Sequence, residues 1–115
     1  MTRKVSAVVT KNTTTKETIL TVPTKNTGYW TVMYVISLTG TETPKVYWYD
    51  KSTNTEYFIF GGKNLGAGDY ILLDGDGLVV LQQGDEIRVQ NTGTNSVTYI
   101  ATVEYVPEIA VQYSN

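Results

Sequence analysis

Four aspartates of this 115-residue sequence stand beside glycines: Asp69, Asp74, Asp76 and Asp85. The run Asp74-Gly75-Asp76-Gly77 sets alternate carboxylates around tight glycines, as calcium loops do. An EF-hand also needs a third ligand position and a distal Glu in register, and neither follows here. Asp and Gly are equally the preferred residues of hairpin turns, so we expect plain turns at 74–77 and 82–85 and no metal. A glycosidase pair would need one carboxyl in an apolar pocket about 5–10 Å from a second. Beside turn glycines these acids are expected to be solvated and ionised, which removes that chemistry. With no His and no Cys in the chain, a hydrolase triad or a thiolate site has no members. The Gly-rich stretch 61–68, GGKNLGAG, lacks the Gly-Lys-Ser/Thr ending of a phosphate loop. The expectation is no catalytic residue, no metal and no cofactor.

The aromatic group Tyr47, Trp48, Tyr49, Tyr57, Phe58 and Phe60 is the strongest binding candidate. Side chains alternate along a strand, so half of these rings should face outward. Outward Tyr and Trp can anchor a protein interface or stack on sugars, because each offers a large rigid surface with a polar tip. They can equally do no more than cover a sheet.

The elements that must position these residues are strands. Abundant Thr, Val, Ile and Tyr suit a pleated, half-buried surface. Strands are expected at 4–10, 17–22, 29–38, 44–49, 55–60, 70–73, 78–81, 86–90 and 96–106, with no convincing helix. Pro23 ends the second, having no N–H for a ladder. In 29–38 alternation predicts Trp30, Val32, Tyr34, Ile36 and Leu38 on one face and Tyr29, Thr31, Met33, Val35 and Ser37 on the other; both are partly apolar, so the strand should be central. In 86–90 Ile87 and Val89 should point inward. In the last strand Val97, Tyr99, Ala101, Val103 and Tyr105 should share a face. Polar turns at 50–54 and 92–95 read as hairpins. About eight strands so spaced, without crossover helices, predict an all-β, antiparallel β-sandwich with jelly-roll or immunoglobulin-like connections, a closed barrel being the competitor. The expected organisation is one domain over 1–107 and a C-terminal tail over 108–115.

Composition excludes several classes. A net charge of -2 argues against a sequence-independent nucleic-acid binder, which needs a basic face to release counterions. The longest apolar runs, 71–73 and 78–81, fall far short of the roughly 20 residues of a spanning helix, so no membrane partner is expected. No apolar signal-peptide core follows the basic residues near the N-terminus. Residues before 64 carry +4 and those after it -6. Either interleaved strands spread these charges over one solvated surface, or two faces of opposite sign dock on each other or on a partner.

Three sequence blocks add a resemblance. Val22-Pro23 precedes a long strand, Gly66 to Asp69 forms a Gly-x-Gly-Asp turn before an apolar strand, and Leu81 to Val89 reads Leu-x-x-Gly-Asp-x-Ile-x-Val before the closing segment ATVEYV. In this order the chain resembles small β-sandwich virion structural proteins of tailed bacteriophages, of the capsid decoration (cement) or the neck, collar and tail-associated type. The resemblance implies a non-enzymatic structural protein located in the virion and assembled in the host cytoplasm. It implies the major capsid protein or other virion proteins as partners, and a homo-oligomer, a trimer being one arrangement. On that reading the docking elements are Thr2, Arg3 and Lys4, the aromatic residues Tyr47, Trp48 and Tyr49, and the alternating Ile109, Val111 and Tyr113. A carbohydrate-binding β-sandwich module is the alternative of a different class.

Overall fold

The computed structural model describes residues 2–108. Eight strands form two four-stranded antiparallel sheets: β1 (Arg3–Lys11), β2 (Glu17–Thr21), β3 (Asn26–Ser37), β4 (Lys45–Asp50), β5 (Thr55–Phe60), β6 (Tyr70–Leu81), β7 (Glu86–Gln90) and β8 (Val97–Pro107). One sheet runs β1-β8-β3-β6 and the other β2-β7-β4-β5. Nearly every connection therefore crosses from one sheet to the other, which is the jelly-roll arrangement; the predicted sandwich is correct and its connections are not immunoglobulin-like. Only β4 and β5 are consecutive strands paired as a hairpin. Their turn is held by Asp50, whose carboxylate accepts the Ser52 N–H at 3.1 Å and the Thr53 hydroxyl at 3.0 Å.

The core lies between the sheets. β8 supplies Val97, Tyr99, Ala101 and Val103, all fully buried, and β7 supplies Ile87 and Val89, as alternation predicts. β3 is central, flanked by β8 and β6. Its alternation departs from the expectation: Trp30 is buried, but so are Met33, Val35 and Ser37, three to seven residues on. A β-bulge is the reason. Trp30 pairs with Val103 while Val32 already pairs with Thr102, so one extra residue shifts the phase and turns Val32, Tyr34 and Ile36 outward.

The same point of β3 disturbs β6. Residues 74–77 form no turn between two strands; β6 runs through from Tyr70 to Leu81. Trp30 pairs with Val79 and Val32 with Asp74, so residues 75–78 are set out of the ladder opposite a single residue of β3. This large bulge lies on an edge strand, where no further neighbour needs the lost pairing.

Residues 92–95 likewise close no hairpin, because β7 and β8 belong to different sheets. Two buried polar side chains hold the crossing. Asn91 donates to the Lys11 carbonyl at 2.8 Å and the Asn95 carbonyl at 3.1 Å, and accepts the Tyr99 hydroxyl at 2.6 Å. Glu42, only 2% exposed, accepts the backbone N–H groups of Thr92 (3.2 Å), Gly93 (2.9 Å) and Asn95 (2.9 Å). Glu42→Ala removes the common acceptor of three amides at the surface end of the crossing. Each lost bond is worth about 1 kcal/mol where water can replace it, and amide exchange at 92–95 should rise well before global unfolding; unchanged protection there would refute the clamp.

Gly28 fits where no side chain can. A Cβ there would lie 2.9 Å from Val103 Cγ1. Gly28→Val should cost about 1–3 kcal/mol by overpacking, read as a lowered urea midpoint.

Candidate interaction surfaces

The outer face of the β2-β7-β4-β5 sheet carries the aromatic hairpin. Val46 and Trp48 turn toward the core, and Tyr47 and Tyr49 turn away from it. Outward orientation does not expose Tyr47, which is 6% accessible. The Lys16 ammonium lies 4.2 Å from its ring centroid, Phe58 packs at 4.8 Å, and its hydroxyl donates to Gln90 at 2.9 Å. The Arg88 guanidinium covers Tyr49 at 3.9 Å, and the Tyr49 hydroxyl donates to Asn54. Trp48 stacks on Tyr57 at 5.1 Å and gives its indole N–H to Asp85 at 3.1 Å.

The two cations belong to a network across four strands and the segment before β2. Lys16 meets Glu56 at 2.6 Å; Arg88 bridges Glu56 at 3.1 Å and Glu86 at 2.9 Å. Burial acts to raise both carboxyls, and the hydrogen bonds outweigh it: Lys16 and Arg88 hold Glu56 below the usual range, Thr18 and Arg88 do so for Glu86. A folded pKa below the unfolded one adds stability above the unfolded value and loses it as pH falls through the folded value. Denaturant midpoints should therefore fall on acidification below about pH 4.3, the ordinary glutamate value. Arg88→Met should flatten that acid limb; an identical limb in the variant would exclude these pairs as its source.

Asp85 departs from its expected solvated state. It is 1% exposed and accepts three hydrogen bonds, from Trp48, from the Lys51 N–H (3.0 Å) and from the Gln82 N–H (2.9 Å). It is the joint between the β6–β7 turn and the hairpin. Asp69, Asp74 and Asp76 are exposed, as expected.

The outer face of the β1-β8-β3-β6 sheet differs in kind. Register aligns Val8, Ile100, Tyr34 and Leu72 in a row across all four strands, with Ile36 and Tyr70 in the next row. Val8 is 62%, Tyr70 60% and Leu72 51% exposed, so the stripe is open to solvent. Isolated exposed apolar residues need no explanation, whereas a contiguous row marks an interaction surface. Alternation alone placed Tyr34 and Ile36 with buried Trp30; the bulge separates them, and a one-residue insertion leaves no mark in the pattern.

Beside the stripe, the β6 bulge walls an open recess of about 580 Å³ lined by Lys4, Thr31, Val32, Asp74, Asp76 and Glu104. No group of three His, Cys, Asp or Glu side chains among the described residues is placed to hold a metal ion. Of the expected docking residues, Lys4 borders this recess, Arg3 sits over the Tyr105 ring at 5.6 Å, and Thr2 is exposed just before β1. Tyr47, Trp48 and Tyr49 are engaged within their own sheet. Ile109, Val111 and Tyr113 lie outside the described residues.

No protein-family model matches the sequence, and no curated protein matches it. Solved structures share the fold. The chain is similar to one from Bacillus endospore appendages, a family of disulfide-linked pili, at 15% identity over 93% of this chain and 88% of that one, with a TM-score of 0.57. It is similar to a chain of the acid-stable capsid of Helicobacter pylori bacteriophage KHP30, at 13% identity over 94% of each chain and a TM-score of 0.53. A chain of the cyanophage Pam1 capsid matches at 15% identity over 92% of this chain and 85% of that one, with a TM-score of 0.50. At such identities the likeness is one of fold.

Proposed function

We propose that this chain is a non-enzymatic structural protein of a phage virion, and within the virion a capsid decoration protein that docks on the head through the outer face of its β1-β8-β3-β6 sheet. The outward row of Val8, Ile100, Tyr34 and Leu72, exposed at its two ends and half-buried at Ile100 and Tyr34, carries this reading. On the opposite sheet Lys16 and Arg88 cover Tyr47 and Tyr49 and leave Phe58 (62%) and Tyr57 (44%) exposed at the β5 edge, whereas on this sheet the apolar residues form a row across all four strands. Jelly-roll likeness to chains of two phage capsids supports this reading. Thr2 and Lys4, at the end of this sheet, would extend the contact toward the major capsid protein, with Arg3 beside them on the Tyr105 side of β1. Many modest contacts repeated by symmetry clamp neighbouring subunits through avidity.

A glycan platform on Tyr47, Trp48 and Tyr49 is disfavoured, since Lys16 and Arg88 already occupy the faces of Tyr47 and Tyr49 and Trp48 stacks on Tyr57, which leaves Phe58 and the outer side of Tyr57 as the exposed rings of the hairpin. The neck, collar or tail is the second location, and one measurement separates it. The purified chain should co-sediment with intact heads, and Leu72→Asp with Val8→Asp should abolish this without unfolding the domain. Binding to neck or tail complexes of the same particles, with none to heads, would overturn the decoration reading. If the charged segments contribute, head binding should also weaken between about 0.05 and 0.5 M salt, where exposed charges are screened.

A further inference from the structure

β1 is an edge strand whose pairing capacity is half used. Among the described residues it pairs with β8 alone. The phase of β8 follows from its ends: the Leu38 N–H donates to the Ser96 carbonyl at 2.8 Å and the Glu108 N–H to the Lys25 carbonyl at 2.8 Å. Even-numbered residues of β8 thus bond to β3, and its odd-numbered ones, Val97 to Tyr105, bond to β1. Their β1 partners are the odd-numbered Val5, Ala7, Val9 and Lys11. The backbone N–H and C=O groups of Lys4, Ser6, Val8 and Thr10 therefore point to the open side. No proline or bulge interrupts this run, so it can template another strand.

The core is also unfinished there. The inward residues Val5, Ala7 and Val9 are only half-buried, whereas the inward row of β8 beside them is fully buried. An added strand with one apolar face would cover them. β1 carries Arg3, Lys4 and Lys11 and no acid, so a segment without basic residues suits it. Residues 108–115, EIAVQYSN, meet each requirement: Ile109, Val111 and Tyr113 alternate with smaller or polar residues, Glu108 is acidic, and no base or proline is present. The five residues 109–113, extended, span about 13 Å, which matches three of the four open positions that run over about 20 Å from Lys4 to Thr10.

The donor must come from another molecule. Glu108 is bonded to Lys25, on the β3 side of β8, away from β1. To reach its own β1 edge the chain would have to reverse and cross two strand spacings of about 4.8 Å each, and the segment contains neither Gly nor Pro to turn it. We propose that residues 109–113 of one copy add as a fifth strand to the free edge of β1 in a second copy. The contact is head-to-tail, so it builds closed rings or open chains according to the rotation between copies.

Two full-length variants separate donor from acceptor. Ile109→Asp with Val111→Asp spoils the donor and leaves the edge. Ser6→Pro removes an outward N–H that β8 does not use, a substitution edge strands tolerate, and leaves the donor intact. By sedimentation velocity the wild type should run at multiples of 12.8 kDa, and each variant alone as a monomer with wild-type far-UV dichroism and a cooperative unfolding transition that, unlike the wild type's, does not shift with protein concentration. Mixed, the variants should form a 1:1 pair and stop, since one retains only the edge and the other only the donor. A synthetic peptide of residues 108–115 should bind the donor-dead variant and not Ser6→Pro, which covers the case of a poorly folded variant. Association of either variant as strong as the wild type's, absence of the mixed pair, or a wild-type dissociation constant weaker than about 1 mM would overturn the proposal. These readouts use the purified chain alone, so their failure leaves the capsid reading standing, and failure to bind heads leaves this one standing.

Discussion

Trp30→Ala should cost about 3–5 kcal/mol of folding stability and lower Tm by more than about 10 °C. Trp30 is a fully buried side chain of the largest kind, set between the sheets where β3 contacts both β8 and β6. Its removal leaves a cavity that the surrounding strands, each fixed by a ladder, cannot collapse to fill. A second loss is specific to this site. The indole N–H donates to the Val32 carbonyl at 3.1 Å, across the bulge that reverses the phase of β3. Without that pin, the bulge competes with a regular register that would turn Met33 and Val35 outward. Trp30→Phe keeps most of the volume and loses the hydrogen bond, so about 1–2 kcal/mol is expected from that part. Urea unfolding of both variants checks the partition. If Phe were as costly as Ala, the pin and not the volume would dominate; if both were near wild type, the core assignment would be wrong.

Asp85→Ala should cost about 2–4 kcal/mol. Three donors lose their acceptor together: the Trp48 indole and the backbone N–H groups of Lys51 and Gln82. A buried donor left without a partner costs about 1–3 kcal/mol, and the two backbone groups, belonging to exposed residues, recover part of this from water. Asp85→Asn retains one acceptor oxygen and places an amide donor against another donor, so a cost of about 1–2 kcal/mol follows. The hairpin should loosen before the rest of the domain. In a Trp30→Phe background Trp48 is the sole tryptophan, and its emission should shift to the red in Asp85→Ala at denaturant concentrations that leave far-UV dichroism unchanged. Coincident transitions by both probes would show that Asp85 supports the whole sandwich and not the hairpin alone.

The strands were legible because their signals are local. Val97, Tyr99, Ala101, Val103 and Tyr105 alternate without interruption, and so they are found on one buried face. The aromatic hairpin was legible for the same reason: its turn chemistry lies within the residues between β4 and β5. Residues 74–77 and 92–95 carry turn composition just as clearly, yet one is a bulge and the other crosses between sheets. Asp-Gly and Asn-Gly-like runs state that the backbone bends, and only pairing decides between which strands. Asp85 resembled its solvated neighbours Asp69, Asp74 and Asp76, because burial depends on Trp48 and Lys51, more than thirty residues away in sequence. Glu42 attracted no notice for the same reason.

The sequence by itself determined an antiparallel β-sandwich and a composition without histidine or cysteine, since residue types are read directly and period-two patterning depends on neighbours one or two residues apart. Tertiary structure alone decided which aromatics are free. Lys16 and Arg88 cap Tyr47 and Tyr49, and a single inserted residue in β3 turns Tyr34 and Ile36 out beside Val8, Ile100 and Leu72. Contacts across strands and sheets join residues with no relation in spacing, and so this apolar row became visible only once the strands were paired.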